Sequence, residues 1–300
     1  MTPNDQIKSG FAAVIGVPNA GKSSLVNALV KESVSIVTSK PQTTRKRTLG
    51  ILTKDNEYQI IFVDTPGVID SEKGLNNYLK KELNSAFSDV DVVICAVAPW
   101  EFDSLIKPWA VNIGLGIKGK TVLYIATQSD KLLKSKEQIL QRWTEWTGVN
   151  PIPLSFTSSK TGDGLPTLTQ DIVSHLPVGP LYYDVDTFTP QSMRDLATEI
   201  IRKHCFERLH QEIPYGLAVL MRSFEELDHL IKIEADVLVL RETHKGMVIG
   251  KSGSLLKAIG TAARLEIESF FDKKVFLKLH VVTKPWIDNR GLMEELGYAD

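Results

Sequence analysis

The chain is expected to fold as an α/β protein of two domains, a mainly parallel sheet wrapped by helices followed by a smaller α+β unit. Three observations carry this. Short apolar, strand-like runs alternate with helical patterns over residues 1–177. A glycine-rich segment, Gly16–Ser23, sits at the first strand–helix junction. A break rich in proline and acidic residues, Pro177–Pro190, is followed by a different order: helix, two strands, two helices, strand.

The strand-like runs of the first part are Phe11–Val17, Tyr58–Val63, Val90–Ala98, Thr121–Ala126 and Ile152–Phe156. Helical spacing is read in Gly21–Val30, Leu75–Phe87, Ser135–Trp146 and Gly164–Leu176. Residues 178–192 form the expected linker. Beyond it, Met193–Leu209 reads as a long helix and Leu217–Phe224 with Leu230–Leu240 as two antiparallel strands. Lys245–Phe271 reads as helix–loop–helix and Lys274–Val282 as a last strand. The domains are thus expected at 1–177 and 193–300.

At 300 residues with 43% hydrophobic and 24% charged side chains, the chain has material for two cores. No apolar run approaches the roughly 18 residues of a membrane span, and Met1–Gly10 is polar, without the apolar stretch of a signal peptide. Cys95 and Cys205 read as buried, reduced thiols, and the histidines and cysteines lack zinc-ligand spacing. Net charge is −1, yet Arg241–Lys284 holds nine Lys/Arg against four Asp/Glu, a local basic face suited to phosphate contact or to plain solvation.

Gly16-Val17-Pro18-Asn19-Ala20-Gly21-Lys22-Ser23 fits G-x-x-x-x-G-K-[ST]. Its glycines let backbone N–H groups turn around phosphate oxygens, and the following helix adds positive charge at its N-terminus. Lys22 would reach the β- and γ-phosphates, and the Ser23 hydroxyl would ligate Mg²⁺. Asp64-Thr65-Pro66-Gly67 closes a strand, with Asp64 on the Mg²⁺ side and the Gly67 N–H facing the γ-phosphate. Between them, Lys40-Pro41-Gln42-Thr43-Thr44-Arg45 carries threonines able to add a hydroxyl to Mg²⁺ when a γ-phosphate is present. Val68 follows where related enzymes often place a water-orienting glutamine, so no general base is assigned. Slow hydrolysis supported by Mg²⁺, Lys22 and backbone donors such as the Gly67 N–H is expected.

The base site should follow Thr121–Ala126, where the guanine motif N-K-x-D is replaced by Thr127-Gln128-Ser129-Asp130. The Asp130 carboxylate can accept from guanine N1 and N2. Ser158-Ser159-Lys160 stands where a backbone N–H meets guanine O6. Guanine is the expected base, with weakened base selectivity and a pocket that no longer binds nucleotide as the alternatives. In the second domain Gly250-Lys251-Ser252-Gly253 is a G-x-x-G loop between helices, the element by which KH domains clamp about four nucleotides of RNA backbone. The stripe Ile249, Leu255, Leu256 and Ile259 reads as core.

With these motifs in this order, the chain resembles the Era family of bacterial ribosome-assembly GTPases over nearly its whole length. The resemblance extends to Ile213-Pro214-Tyr215 and to the tail from Trp286 to Tyr298. It implies a Ras-like P-loop GTPase domain, a type II KH domain, GTP/GDP and Mg²⁺ as cofactors, and Thr44 as the Mg²⁺ threonine. It further implies binding near the 3′ end of 16S rRNA in the small ribosomal subunit. A cytoplasmic monomer is expected, with peripheral contact at the inner face of the membrane. Asn19 resembles the asparagine of relatives that hold K⁺ beside the phosphates; shaping the loop is its other reading. An RNA chaperone with a relic nucleotide domain and a metabolic P-loop ATPase are the rival readings of the residues.

Overall fold

The computed structural model describes residues 7–40, 43–67, 90–104, 117, 119–148 and 152–298. The expected helix Leu75–Phe87 and the residues Pro41, Gln42 and Val68 lie outside them. Two compact units are present. One comprises residues up to Ser35, Thr44–Gly67 and Val90–Pro190; the other comprises Ile36–Thr43 and residues from Gln191 on.

The first unit holds a six-stranded sheet in the order β2-β3-β1-β4-β5-β6. Its strands are β1 (Lys8–Ile15), β2 (Thr48–Lys54), β3 (Tyr58–Asp64), β4 (Val92–Val97), β5 (Thr121–Ala126) and β6 (Leu154–Phe156). Only β2 runs antiparallel, along β3. The central strands are apolar without alternation, and β4 is buried at every position, as expected of a sheet covered on both faces. Helix α1 (Lys22–Val30) buries Leu25, Val26, Leu29 and Val30 against one face. α3 (Leu165–His175) joins that side through Leu168 and Ile172. On the opposite face α2 (Lys136–Thr147) buries Ile139 and Trp143. Its start is set by Ser135 and Gln138, which cap each other's backbone N–H.

The Pro177–Pro190 segment is not free chain. Lys8 bridges Val178, Gln59 accepts from the Tyr182 and Tyr183 N–H groups, and the Ile51 N–H donates to Phe188. An edge-on Phe11–Tyr182 contact completes the strap.

The second unit has a three-stranded sheet, β7 (Ala218–Glu226), β8 (Leu230–Val239) and β9 (Lys274–Thr283). β7 pairs antiparallel and β9 parallel with the central β8. The inward positions Ile231, Ile233, Ala235, Val237 and Val239 alternate along β8 and form one core with α4 (Met193–Arg208) and α6 (Ser254–Phe271). α5 (Glu242–Ile249) precedes α6, and α7 (Arg290–Glu295) lies in the tail. Trp286 is fully buried, donates Nε1–H to the Gly216 carbonyl and packs on Tyr298. Ile249, Leu255 and Leu256 are only half-buried, whereas Ile259 is fully buried. Cys95 and Cys205 are buried and free. Among the described residues no helix is long and apolar enough to cross a membrane.

Candidate nucleotide site and RNA-facing loop

Four of the expected nucleotide segments lie at or just beyond the carboxyl end of a parallel strand, and the fifth, with Thr44, precedes β2. The Gly16–Ser23 loop follows β1, Asp64 ends β3, Thr127–Asp130 follows β5 and Ser158 follows β6. Open α/β sheets bind ligands at this edge. Gly21 has φ 83° and passes the chain into α1, so the loop and the helix N-terminus form one turn.

Lys22 is buried, and its ammonium donates to the carbonyls of Gly16 (3.2 Å) and Val17 (3.0 Å). Burial lowers its pKa to about 8 against the opposing pull of Asp64 and Glu101. Asp64 is fully buried too, and desolvation raises its pKa while the Ser23 hydroxyl and Lys22 resist. Ser23 Oγ donates to Asp64 Oδ2 at 2.6 Å and lies 2.8 Å from Thr44 Oγ1, which is itself 3.5 Å from Asp64 Oδ2. Asp64 Oδ1 is buried without a hydrogen-bond partner. Three hard oxygens and an orphaned carboxylate oxygen in one place form a donor set that fits Mg²⁺. Ser23, Thr44 and Asp64 are thus brought together.

Thr65 anchors the Asp64–Gly67 turn, donating to the Val14 carbonyl at 2.7 Å. A Cβ at Gly67 would stand 2.8 Å from Pro18 Cα, so only glycine lets this turn lie against the phosphate loop. Val68, outside the described residues, has no described place. Glu101 had no sequence signal: its carboxylate caps the Ala98 N–H at 2.7 Å, and burial pushes its pKa to about 7.

The base loop is fastened by its unusual residues. Thr127 is buried, with Oγ1 2.6 Å from the Ala20 carbonyl and 3.1 Å from that of Val97. Gln128 sits at φ 50° and donates Nε2–H to the Asn19 carbonyl at 3.0 Å, while Lys131 holds its Oε1 at 2.7 Å. Asp130 accepts from Ser158 Oγ at 2.7 Å, and this bond, the largest cause, lowers its pKa. Ser129 N–H donates to the Thr157 carbonyl, tying the loop to the segment carrying Ser158 and Ser159. Thr127 and Gln128 therefore tie this loop to the phosphate loop. Sequence reading saw only the missing Asn and Lys.

In the second unit Gly250 (φ 72°), Ser252 (φ 52°) and Gly253 (φ 79°) turn the chain between α5 and α6. A Cβ at Gly250 would meet Leu255 Cβ at 2.7 Å, whereas nothing lies within 4 Å of one at Gly253. Lys251 and Ser252 are exposed. The loop is an open, tight turn with a basic side chain at its tip.

Comparison with known proteins agrees with this geometry. Residues 11–128 match the family described as 50S ribosome-binding GTPase, and residues 212–287 match the KH domain family. The chain is 39% identical to GTPase Era of Syntrophus aciditrophicus, over 98% of this chain and 96% of that one. It is also 39% identical to GTPase Era of Coxiella burnetii, over 97% and 98%. Among solved structures it is similar to an Aquifex aeolicus Era variant bound to GDP·AlF4⁻, at TM-score 0.91, 31% identity and 98% and 100% coverage. It is equally similar in extent to Era in complex with MgGDPNP and nucleotides 1506–1542 of 16S ribosomal RNA, at TM-score 0.88 and 30% identity. A Ras-like GTPase unit, a KH unit and full-length identity of this order place the chain in one family: it belongs to the Era GTPases.

Proposed function

We propose that this chain is a Mg²⁺-dependent GTPase whose C-terminal domain binds 16S rRNA near its 3′ end and which assists assembly of the small ribosomal subunit. The observation that carries the reading is the convergence of Lys22, Ser23, Thr44 and Asp64 beyond the sheet edge, with a fastened base loop on the same edge. Full-length similarity to Era proteins solved with GDP·AlF4⁻ and with MgGDPNP and 16S rRNA supports it.

In this reading Gly16–Ser23 cradles the phosphates, Lys22 neutralises the β- and γ-phosphates, and Ser23, Thr44 and Asp64 surround Mg²⁺. When bound, the metal would supply positive charge that offsets the charge of the phosphates. The Gly67 N–H meets the γ-phosphate, on a turn made by Thr65 and Pro66 and anchored by the Thr65 hydroxyl. Asp130 accepts from guanine N1 and N2, and Ser158–Ser159 face O6. Gly250–Gly253 holds RNA backbone. The functional domains are 1–177 and 193–300, joined through 178–192. K⁺ beside Asn19, a monomeric state and a cytoplasmic location with peripheral contact at the inner face of the membrane complete the reading; these rest on the family resemblance. Titrating the chain with Mg·GDP, Mg·GTP and Mg·ATP tests it. Guanine nucleotides should bind and ATP should not compete, and Lys22→Ala should sharply weaken triphosphate binding. Equal affinity for ATP, or no affinity for any of the three, contradicts it.

A further inference from the structure

The phosphate site does not account for Arg202. This side chain, in the middle of α4, is 1% exposed. Its Nη2 donates to the Thr43 carbonyl at 2.6 Å and pairs with Glu199, whose other oxygen takes Nε–H at 3.1 Å. The guanidinium lies 5.3 Å from the Phe206 ring centre, and Nη1 is buried without a partner. A buried cation is costly, and an apolar side chain would fill the same space at lower cost. What a guanidinium adds is a rigid, directional donor aimed at one main-chain oxygen.

Lys40 grips the same helix three residues earlier in the Ile36–Thr43 segment. Its ammonium donates to the carbonyls of Phe206, Glu207 and Leu209, at the helix end where carbonyls lack intrahelical partners. The described residues of the segment also bond to one another. Thr43 Oγ1 donates to the Lys40 carbonyl at 2.7 Å, and Thr38 Oγ1 lies 2.7 Å from Thr43 Oγ1. This segment belongs to the second unit, and α4 holds its Lys40 and Thr43. The next residue in the chain is Thr44, whose hydroxyl stands beside Ser23 and Asp64. One peptide bond separates the carbonyl that Arg202 holds from the residue that presents an oxygen to the metal site.

We propose that Arg202, assisted by Lys40, is a positioning residue for Mg²⁺-dependent GTP hydrolysis that acts through Thr44. This rests on the assignment of Thr44 to Mg²⁺ made above. A threonine of this kind engages the metal only with a γ-phosphate present, so GDP binding does not use it.

The test uses the full chain with Arg202→Gln and Lys40→Met, alone and combined with Thr44→Ala. In Arg202→Gln, kcat should fall about tenfold, the Mg²⁺ concentration for half-maximal rate should rise, and GDP affinity should stay within about twofold. Lys40→Met should act in the same direction and more weakly. In the Thr44→Ala background neither substitution should lower the rate further, because the path is already cut. Parent-like kcat and Mg²⁺ dependence in a folded variant, equal loss of GDP affinity, or full multiplication with Thr44→Ala would overturn the proposal. Should Arg202→Gln fail to fold, Lys40→Met, half-buried at a helix end, decides alone. A parent that turns over no GTP refutes the GTPase reading instead; the GDPNP-over-GDP affinity ratio of the same variants then tests the positioning role.

Discussion

Burial shifts the titration of both Lys22 and Glu101, and binding would change that of Lys22. Burial brings Lys22 to about 8, so near pH 9 much of it is neutral, and an arriving triphosphate restores the ammonium. GTP binding at about pH 9 should therefore take up a proton, read by calorimetry in buffers of different ionisation enthalpy; zero uptake there contradicts a buried Lys22 meeting phosphate. Stability of the nucleotide-free chain follows the same shifts. Glu101, raised from 4.5 to about 7, binds its proton in the folded state first, so its contribution falls as pH rises through that window. Lys22, lowered from 10.5 to about 8, loses its proton first when folded, so its contribution rises between those values. At the base loop, Thr127 has one hydroxyl proton, and two carbonyls, of Ala20 and Val97, compete for it. It has none for guanine N7. Replacing that nitrogen by carbon, as in 7-deaza-GDP, should change affinity less than about threefold. Thr127→Asn, whose amide brings two N–H donors, should make GDP the better ligand; a parent that already rejects 7-deaza-GDP would contradict the commitment of the Thr127 proton to the two carbonyls.

Among the elements, β2 escaped the sequence reading, and Gly50 explains why. Glycine in mid-strand weakens the strand pattern, yet here a Cβ would lie 3.0 Å from Val26, Val30 and Val34, so the packing of α1 requires it. The Pro177–Pro190 segment carries turn chemistry that reads as linker. Its bonds to Gln59, Leu49 and Ile51 join residues over a hundred positions apart, and no local pattern encodes them. The phosphate loop and the Gly250–Gly253 turn were legible because each is one contiguous stretch whose backbone conformation demands glycine. That turn yields its own prediction. Aspartate tolerates the left-handed conformation at Gly253 better than most residues, and open space surrounds the position. Gly253→Asp should keep the fold and GTP affinity while lowering RNA affinity at least about tenfold through repulsion of phosphate. Unchanged RNA binding by filter retention would remove this loop from the interface.

Across the whole molecule, two units that each have their own core carry two chemistries, and among the described residues the chain crosses between them at Ser35–Ile36, Thr43–Thr44 and Pro190–Gln191. The family, the order of motifs and the edge of the sheet that binds nucleotide were readable from local patterns. The hold of α4 on the Lys40–Thr43 segment was not, because Arg202 is an ordinary helix residue until its carbonyl partner is seen 159 positions away. A protein that binds GTP at one unit and 16S rRNA at the other is a switch only if the two affinities are coupled, and the coupling must be reciprocal. The most direct measurement is the affinity of the full chain for an RNA matching the 3′ end of 16S rRNA, with saturating Mg·GDPNP and with saturating Mg·GDP. The account predicts tighter binding in GDPNP, by about fivefold or more; equal affinity in the two nucleotides would contradict it.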